Sequence, residues 1–393
     1  MFLSLGKTPL ANSFLDSPNE FADEMSFPLE VYFCPACSLV QLLDVVSPEV
    51  LFRNYIYVTG TSDTIAAHNK GYASTVTGLL NLQPVDLVVE VASNDGSLLK
   101  CFGTRTLGVE PALNIAAKAQ AAGIDTVTDF FDFSVATKLR AERGPARAVI
   151  ANNVLAHVDD PRGFLRGAAA MIEGDGMVIT EVPYLGDLIR KMEYDTIYHE
   201  HLSYFSMTAL VKLFANAGLS VVRIDHVPVH GGTVRVYARR QEHTPQHSPE
   251  ALEMCQREHD SKLTSLECLE AFAKGVQKHK QALLNLLSML LLEGKTIAGY
   301  GAPAKGNTLL NYCEISTSIL KYTVDKNPMK VGKLTPGQHV PVFDVSALTE
   351  RRPDYVLILA WNFADEVMRQ QSQFLEQGGR FIVPIPVPSI VGS

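Results

Sequence analysis

Val88-Val-Glu-Val-Ala-Ser-Asn-Asp-Gly-Ser-Leu-Leu99 is the stretch whose reading decides the fold. The run Asp86–Val91 is apolar on both strand faces, which predicts a strand buried on both sides, as in a parallel sheet covered by helices. It ends in Glu90; a turn of small and polar residues follows, and Gly96 is placed to open the next helix. Downstream, Arg105–Val109, Asp125–Thr128, Ala146–Ile150 and Gly176–Glu181 repeat the short β-branched pattern between alanine-rich helical stretches. The fold class is therefore α/β, a doubly wound sheet, in which ligands bind outside the carboxyl ends of the strands at the switch point.

Twenty positions after Glu90, Glu110 closes the second strand, where a carboxylate can grip both hydroxyls of a ribose. A pyrophosphate needs a turn with three glycines, whereas this turn keeps one and adds Asp95. Acid there repels a dinucleotide phosphate and suits the cationic sulfonium of S-adenosylmethionine, so methyl transfer outranks hydride transfer. The cofactor candidates are Glu90, Ala92, Asn94, Asp95, Gly96, Glu110 and Pro111, joined by Asn152 and Asn153 after the fourth strand. His157 lies just beyond them as a candidate base or substrate contact.

Glu193-Tyr-Asp-Thr-Ile-Tyr-His-Glu-His-Leu-Ser-Tyr-Phe-Ser206 holds two histidines, two glutamates, an aspartate and three tyrosines in fourteen positions. Such a set can donate and accept protons near neutral pH and stabilise an oxyanion. If the segment is helical, Tyr198 and His201 share a face; if extended, Tyr198 and Glu200 do. His199 is a further substrate candidate.

On either side stand weaker signals. Tyr55 and Tyr57 precede a Ser/Thr/Asp cluster that caps a helix starting near Ser62, and are candidates for a lid over the cofactor. Leu219–Ile224 and Thr233–Ala238 read as a hairpin whose connection carries His230. The region Glu250–Leu292 has leucine at helical spacing and is long enough to be broken once. A second α/β unit follows, with strands at Lys295–Gly299, Tyr322–Val324 and Asp354–Ala360. Its first turn, with Tyr300, Lys305 and Asn307, gathers positive charge with Lys330 and Lys333, suited to a diphosphate. Trp361 and Asn362 close its last strand, where an indole can stack on a base or sugar.

The chain has 393 residues, 47% hydrophobic and 19% charged, which suits two or three globular domains. A net charge of -8 argues against nucleic-acid binding. No stretch approaches the roughly 20 apolar residues that span a bilayer, and the N-terminus lacks the pattern of a secretory signal; no membrane partner and a cytoplasmic location are expected. Six scattered cysteines predict free thiols. Cys34 and Cys37, in Phe-Cys-Pro-Ala-Cys-Ser, resemble one knuckle of a zinc ribbon, but four ligands are needed and no other Cys-x-x-Cys precedes them. This half site argues against bound zinc.

Thr-Pro-Leu-Ala-Asn-Ser-Phe-Leu near the start, Phe-Cys-Pro-Ala-Cys-Ser-Leu-Val-Gln-Leu, Glu-Val-Ala-Ser-Asn-Asp-Gly, Tyr-His-Glu-His-Leu-Ser-Tyr-Phe and Gly-Tyr-Gly-Ala-Pro-Ala-Lys-Gly-Asn-Thr occur in this order. Together they resemble the sugar C-methyltransferases of deoxysugar biosynthesis over nearly the whole chain. The resemblance implies a small zinc-ribbon-like unit (residues 1–60, here without its first Cys-x-x-Cys), a class I S-adenosylmethionine methyltransferase domain (61–245) and a C-terminal Rossmann-like domain (246–393) that holds a nucleotide-linked keto sugar. It further implies that His201 removes the proton beside the ketone, that Tyr198, with His157 as a second candidate, donates to the enolate, and that Glu200 orients a neighbour. The competing readings are an O- or N-methyltransferase, which needs no carbon-acid base, and a non-catalytic sugar-nucleotide-binding protein.

Overall fold

The computed structural model describes residues 1–53, 63–227 and 231–392, with the side chains of 63–65 left undescribed. Tyr55, Tyr57 and His230, and the cap expected near Ser62, lie outside the described residues. The strands before the first cofactor turn are β1 (Leu3–Pro9), β2 (Ser26–Phe33) and β3 (Val40–Leu42). They are followed by β4 (Leu87–Val91), β5 (Arg105–Val109), β6 (Thr126–Val127), β7 (Ala146–Asn152), β8 (Ile172–Pro183), β9 (Ser203–Tyr204), β10 (Leu219–Val227) and β11 (Thr233–Arg240).

The central sheet has the order β10-β11-β8-β7-β4-β5-β6. All of β4 is buried, and β5 and β7 flank it in parallel. The hairpin β10–β11 adds the sheet's antiparallel member through β11, which runs against β8. This is the class I methyltransferase arrangement, and its switch point falls between β4 and β7. The turn after β4 departs from expectation: no regular helix opens at Gly96, and the chain turns into a short 3-10 segment, Leu99–Cys101. Gly96 itself has φ +72, and a Cβ there would stand 2.8 Å from Ile124. A left-handed backbone with no room beside it requires glycine.

The long helical region breaks once, into Pro249–Asp260 and Leu266–Leu292, with Ser265 capping the second helix through the Cys268 amide. Beyond it come β12 (Ile297–Tyr300), β13 (Thr323–Val324), β14 (Val342–Phe343), β15 (Tyr355–Ile358), β16 (Arg380–Val383) and β17 (Ser389–Val391). Their order is β14-β13-β12-β15-β16-β17, parallel except for β17, a second Rossmann-like sheet with its switch point between β12 and β15.

The small N-terminal sheet is completed from the middle of the chain. Its order is β1-β2-β3-β9, with Val40 opposite Tyr204 and Gln41 opposite Ser203. The segment singled out at Glu193–Ser206 is thereby fastened to the N-terminal unit. No helix among the described residues is long and apolar enough to cross a membrane.

Candidate active site

Both switch points open on one cavity of about 900 Å³. Its wall takes Glu90–Asn94 at the end of β4, Glu110 and Pro111 after β5, Asn152–Val154 at the end of β7, Pro303–Lys305 after β12 and Ala360, Asn362 and Phe363 after β15. Tyr198, His201 and His157 stand on the same wall.

Glu110 carries two backbone donors: Oε2 accepts from the Asn94 amide at 2.8 Å and Oε1 from the Ala112 amide at 2.9 Å. Each oxygen keeps a second lone pair for a hydroxyl. Burial raises its pKa, with those two amides opposing. Glu90 is buried, its Oε2 has no hydrogen-bond partner, and its pKa is held well above the usual range by burial and then by the charges of Glu110, Asp95 and Glu181. A buried carboxyl with an orphaned oxygen beside further acids on a cavity wall is relieved by a cation, so this donor set fits S-adenosylmethionine. Ala92 and Asn94, both at φ 50, bend the turn between the two carboxylates. Asn152 Oδ1 accepts from the Tyr72 hydroxyl at 3.0 Å, and the Asn153 amide donates to the Glu181 carbonyl at 2.8 Å.

The Tyr198–His201 pair lies in a turn, neither helical nor extended. Tyr194–Thr196 forms one 3-10 turn, and the His201 amide then donates to the Tyr198 carbonyl at 2.8 Å, which brings the two side chains together as a helix would. The Tyr198 hydroxyl lies 2.9 Å from His201 Nε2, and His201 Nδ1 lies 2.8 Å from the Thr196 carbonyl. A carbonyl only accepts, so Nδ1 carries the proton and Nε2 offers its lone pair to the phenol. The His157 ring stands edge-on to His201, 4.8 Å between centroids. Burial pushes its pKa down to about 4, which keeps it neutral.

Other expected residues are placed differently. Among the described residues the cavity wall does not include Asp95, Gly96, Glu200, His199, Tyr300, Asn307, Lys333 or Trp361. Asp95 caps the turn from within, accepting from the Ser97 amide. Glu200 is buried and accepts from Asn12 at 2.6 Å. His199 is buried against the Pro28 carbonyl, Asn307 is buried with its amide on the Ala11 carbonyl, and the Tyr300 side chain is buried in the C-terminal core. Lys333 pairs with Asp16 at 2.5 Å. Trp361 turns its indole N–H to Asp195 at 2.6 Å instead of to the cavity. Lys305 and Lys330 do line the wall; Lys330 donates to the Ala302 carbonyl at 2.7 Å, and burial lowers the pKa of both.

Several wall residues escaped the sequence reading. Glu181 sits on an ion pair with Arg235, whose Nε is 2.6 Å away, and lies 3.4 Å from His68. Burial alone would raise Glu181, but His68 and Arg235 bring it below the usual range. Phe131 and Asp132 also line the cavity, and their position just past the third strand was the available signal. Cys34 and Cys37 occupy the turn between β2 and β3, where the Cys34 amide donates to the Leu39 carbonyl. All six cysteines are free, and no group of three or more metal-binding side chains occurs among the described residues.

Comparison with known proteins agrees with this architecture. Three family models match: "Putative zinc binding domain" over residues 1–52, "Methyltransferase domain" over 69–224 and "C-methyltransferase C-terminal domain" over 228–386. The C-methyltransferase NovU of Streptomyces niveus is 36% identical over 394 residues, covering 100% of this chain and 94% of that protein. Among solved structures, an S-adenosylmethionine-dependent methyltransferase from Clostridium acetobutylicum is 11% identical and covers 44% of this chain and 92% of that one, at a TM-score of 0.36. The magnesium protoporphyrin IX methyltransferase of Synechocystis with bound S-adenosylmethionine is 16% identical and covers 47% of this chain and 88% of that one, at 0.35. On its full-length relationship to NovU, the chain belongs to the C-methyltransferases, enzymes that use S-adenosylmethionine as their methyl donor.

Proposed function

We propose that the protein methylates the carbon beside the ketone of a nucleotide-linked 4-keto-deoxyhexose, carried on thymidine diphosphate. The observation that supports this reading is the shared cavity: the Tyr198–His201 pair lines the same cavity as acidic Glu90 and Glu110 and as Lys305, Lys330 and Asn362. His201 Nε2 takes the proton from the carbon next to the ketone. The phenol of Tyr198 turns from Nε2 to the ketone oxygen, which frees the Nε2 lone pair for that proton and makes the phenol a donor to the enolate oxygen where charge develops. His157, neutral by burial, is the second donor. Glu200, fixed by Asn12, holds the turn that carries both groups. S-Adenosylmethionine, when bound, supplies an electrophilic methyl group.

Glu90 and Glu110, with Ala92, Asn94, Pro111, Asn152 and Asn153, orient that cofactor; Lys305, at the start of the helix Ala304–Cys313, and Lys330 receive the diphosphate. The reading assigns residues 1–60, 61–245 and 246–393 to the three units and places the reaction in the cytoplasm. It is tested by incubating the enzyme with S-adenosylmethionine and a thymidine-diphosphate 4-keto-6-deoxyhexose and locating the added methyl by mass and NMR. A new carbon–methyl bond beside the ketone is the expected product; a methyl on oxygen or nitrogen, or cofactor binding without turnover, contradicts the proposal.

A further inference from the structure

The 3-10 turn Tyr194–Thr196, which leads into Tyr198 and His201, is gripped by the C-terminal unit at two adjacent residues. The Tyr194 hydroxyl lies 3.0 Å from His279 Nδ1 and 3.5 Å from Cys313 Sγ, an ordinary buried anchor. Asp195 differs in kind. It is completely buried, Oδ2 accepts from the Trp361 indole at 2.6 Å, and Oδ1 has no hydrogen-bond partner. Lys305, whose ammonium lies over the Trp361 ring at 4.7 Å, and the amides of Asp195 and Thr196 favour its charged form, while Asp195 in turn raises the neighbouring Glu193. Burying a carboxylate carries a desolvation penalty that an apolar side chain anchoring the same turn would not. Packing alone does not explain an acid here.

The main chain supplies a reason. The residue after Asp195 is Thr196, whose carbonyl accepts the Nδ1 proton of His201 at 2.8 Å. The amide and the hydroxyl of Thr196 both donate to the Glu193 carbonyl, at 3.1 and 2.7 Å, so the direction of its own carbonyl follows the placement of the turn. The tautomer of a histidine is set by the bond its other nitrogen makes. We propose that Asp195, held by Trp361 and faced by Lys305, is a positioning residue that aims the Thr196 carbonyl and so keeps the His201 proton on Nδ1 and its lone pair on Nε2. The inference rests on His201 being the base. Trp361 belongs to the 3-10 turn Trp361–Phe363, whose Asn362 and Phe363 line the cavity. The wall that faces the sugar nucleotide and the tautomer of the base are therefore parts of one connected structure.

The test uses the full-length enzyme with S-adenosylmethionine and a thymidine-diphosphate 4-keto-6-deoxyhexose, comparing Trp361→Phe, Trp361→His, Asp195→Asn and His201→Ala. The readouts are kcat and KM against pH, solvent deuterium exchange into the sugar, and the ring ¹⁵N shifts of His201. Trp361→Phe should lower kcat and the exchange rate ~10-fold or more, the range of lost orienting partners. KM for the cofactor should stay unchanged, the pH midpoint of kcat should move, and the ring should show a mixture of tautomers. Trp361→His, which restores an N–H donor, should recover part of the rate. A folded Trp361→Phe enzyme with unchanged kcat, pH profile and Nδ1–H signal overturns the inference, and Trp361 carries this test even where Asp195→Asn does not fold. His201→Ala separates the two levels. Exchange that survives it removes the base itself and the inference with it; exchange that vanishes there while Trp361→Phe behaves as the unaltered enzyme overturns the positioning role alone.

Discussion

Tyr198 and His201 are joined at 2.9 Å between phenol oxygen and Nε2, in a ring whose Nδ1 proton is committed to the Thr196 carbonyl. In the proposed reaction the phenol shifts its proton from Nε2 to the enolate oxygen, and the lone pair so freed takes the proton of the carbon acid. Replacing Tyr198 by Phe leaves the lone pair and removes the donor. We expect kcat to fall by ~10²- to 10³-fold, as for loss of one oxyanion donor, with little change in cofactor affinity by calorimetry.

Glu110 and Asp95 should behave oppositely although both are acids of the cofactor turn. Glu110 faces the cavity and holds the Asn94 and Ala112 amides, so Glu110→Ala removes a wall carboxylate and takes the acceptor from both amides. The Kd for S-adenosylmethionine should rise at least ~10-fold, corresponding to about 1.4 kcal/mol. Asp95 lies off the cavity wall and caps the Ser97 amide, a cap that Asn retains, so Asp95→Asn should change that Kd by less than about threefold.

Among the lysines, placement again decides. Lys305→Ala and Lys330→Ala remove cations from the cavity wall and should raise KM for the sugar nucleotide ~10-fold or more, the scale of a charge-assisted hydrogen bond. Lys333 is spent on Asp16 in a partly exposed pair, so Lys333→Ala should leave KM unchanged and cost at most about 1 kcal/mol of stability.

His157 gives a pH signature. Burial lowers its pKa from 6.5 to about 4 in the folded protein, so between these values the unfolded chain binds the extra proton. Its contribution to stability is fully present above pH 6.5 and is lost as pH falls towards 4, by about 3 kcal/mol at most. In His157→Gln this part of the loss should vanish, seen as a smaller drop in Tm between pH 6.5 and 4 than in the unaltered protein. An equal drop in both would show that the ring is solvated.

The legible part of the molecule was local. Glu90 and Glu110 could be placed because the strand–turn–strand repeat puts them at neighbouring carboxyl edges, and the sheet bears this out. A single break in the helical region was legible from length, whereas its place between Asp260 and Leu266 was not. What stayed hidden depends on pairs far apart in the chain: Glu181 meets Arg235 only when β11 pairs with β8, and Asp195 with Trp361 and Asn12 with Glu200 only when separate units pack. The same reason explains Lys333 and Trp361, whose side chains suited a ligand on paper but are satisfied by Asp16 and Asp195. The addition of β9 to the N-terminal sheet carries no pattern signal, since two residues have no period.

The most direct measurement is hydrogen exchange at the carbon beside the ketone, followed by NMR in deuterated buffer with a thymidine-diphosphate 4-keto-6-deoxyhexose, S-adenosylhomocysteine in place of the methyl donor, and either the unaltered enzyme or His201→Ala. Proton abstraction by His201 predicts exchange with the unaltered enzyme and a loss of ~10²- to 10⁴-fold in the variant, the usual weight of a positioned general base. No exchange with the unaltered enzyme, or equal exchange in both, would contradict it.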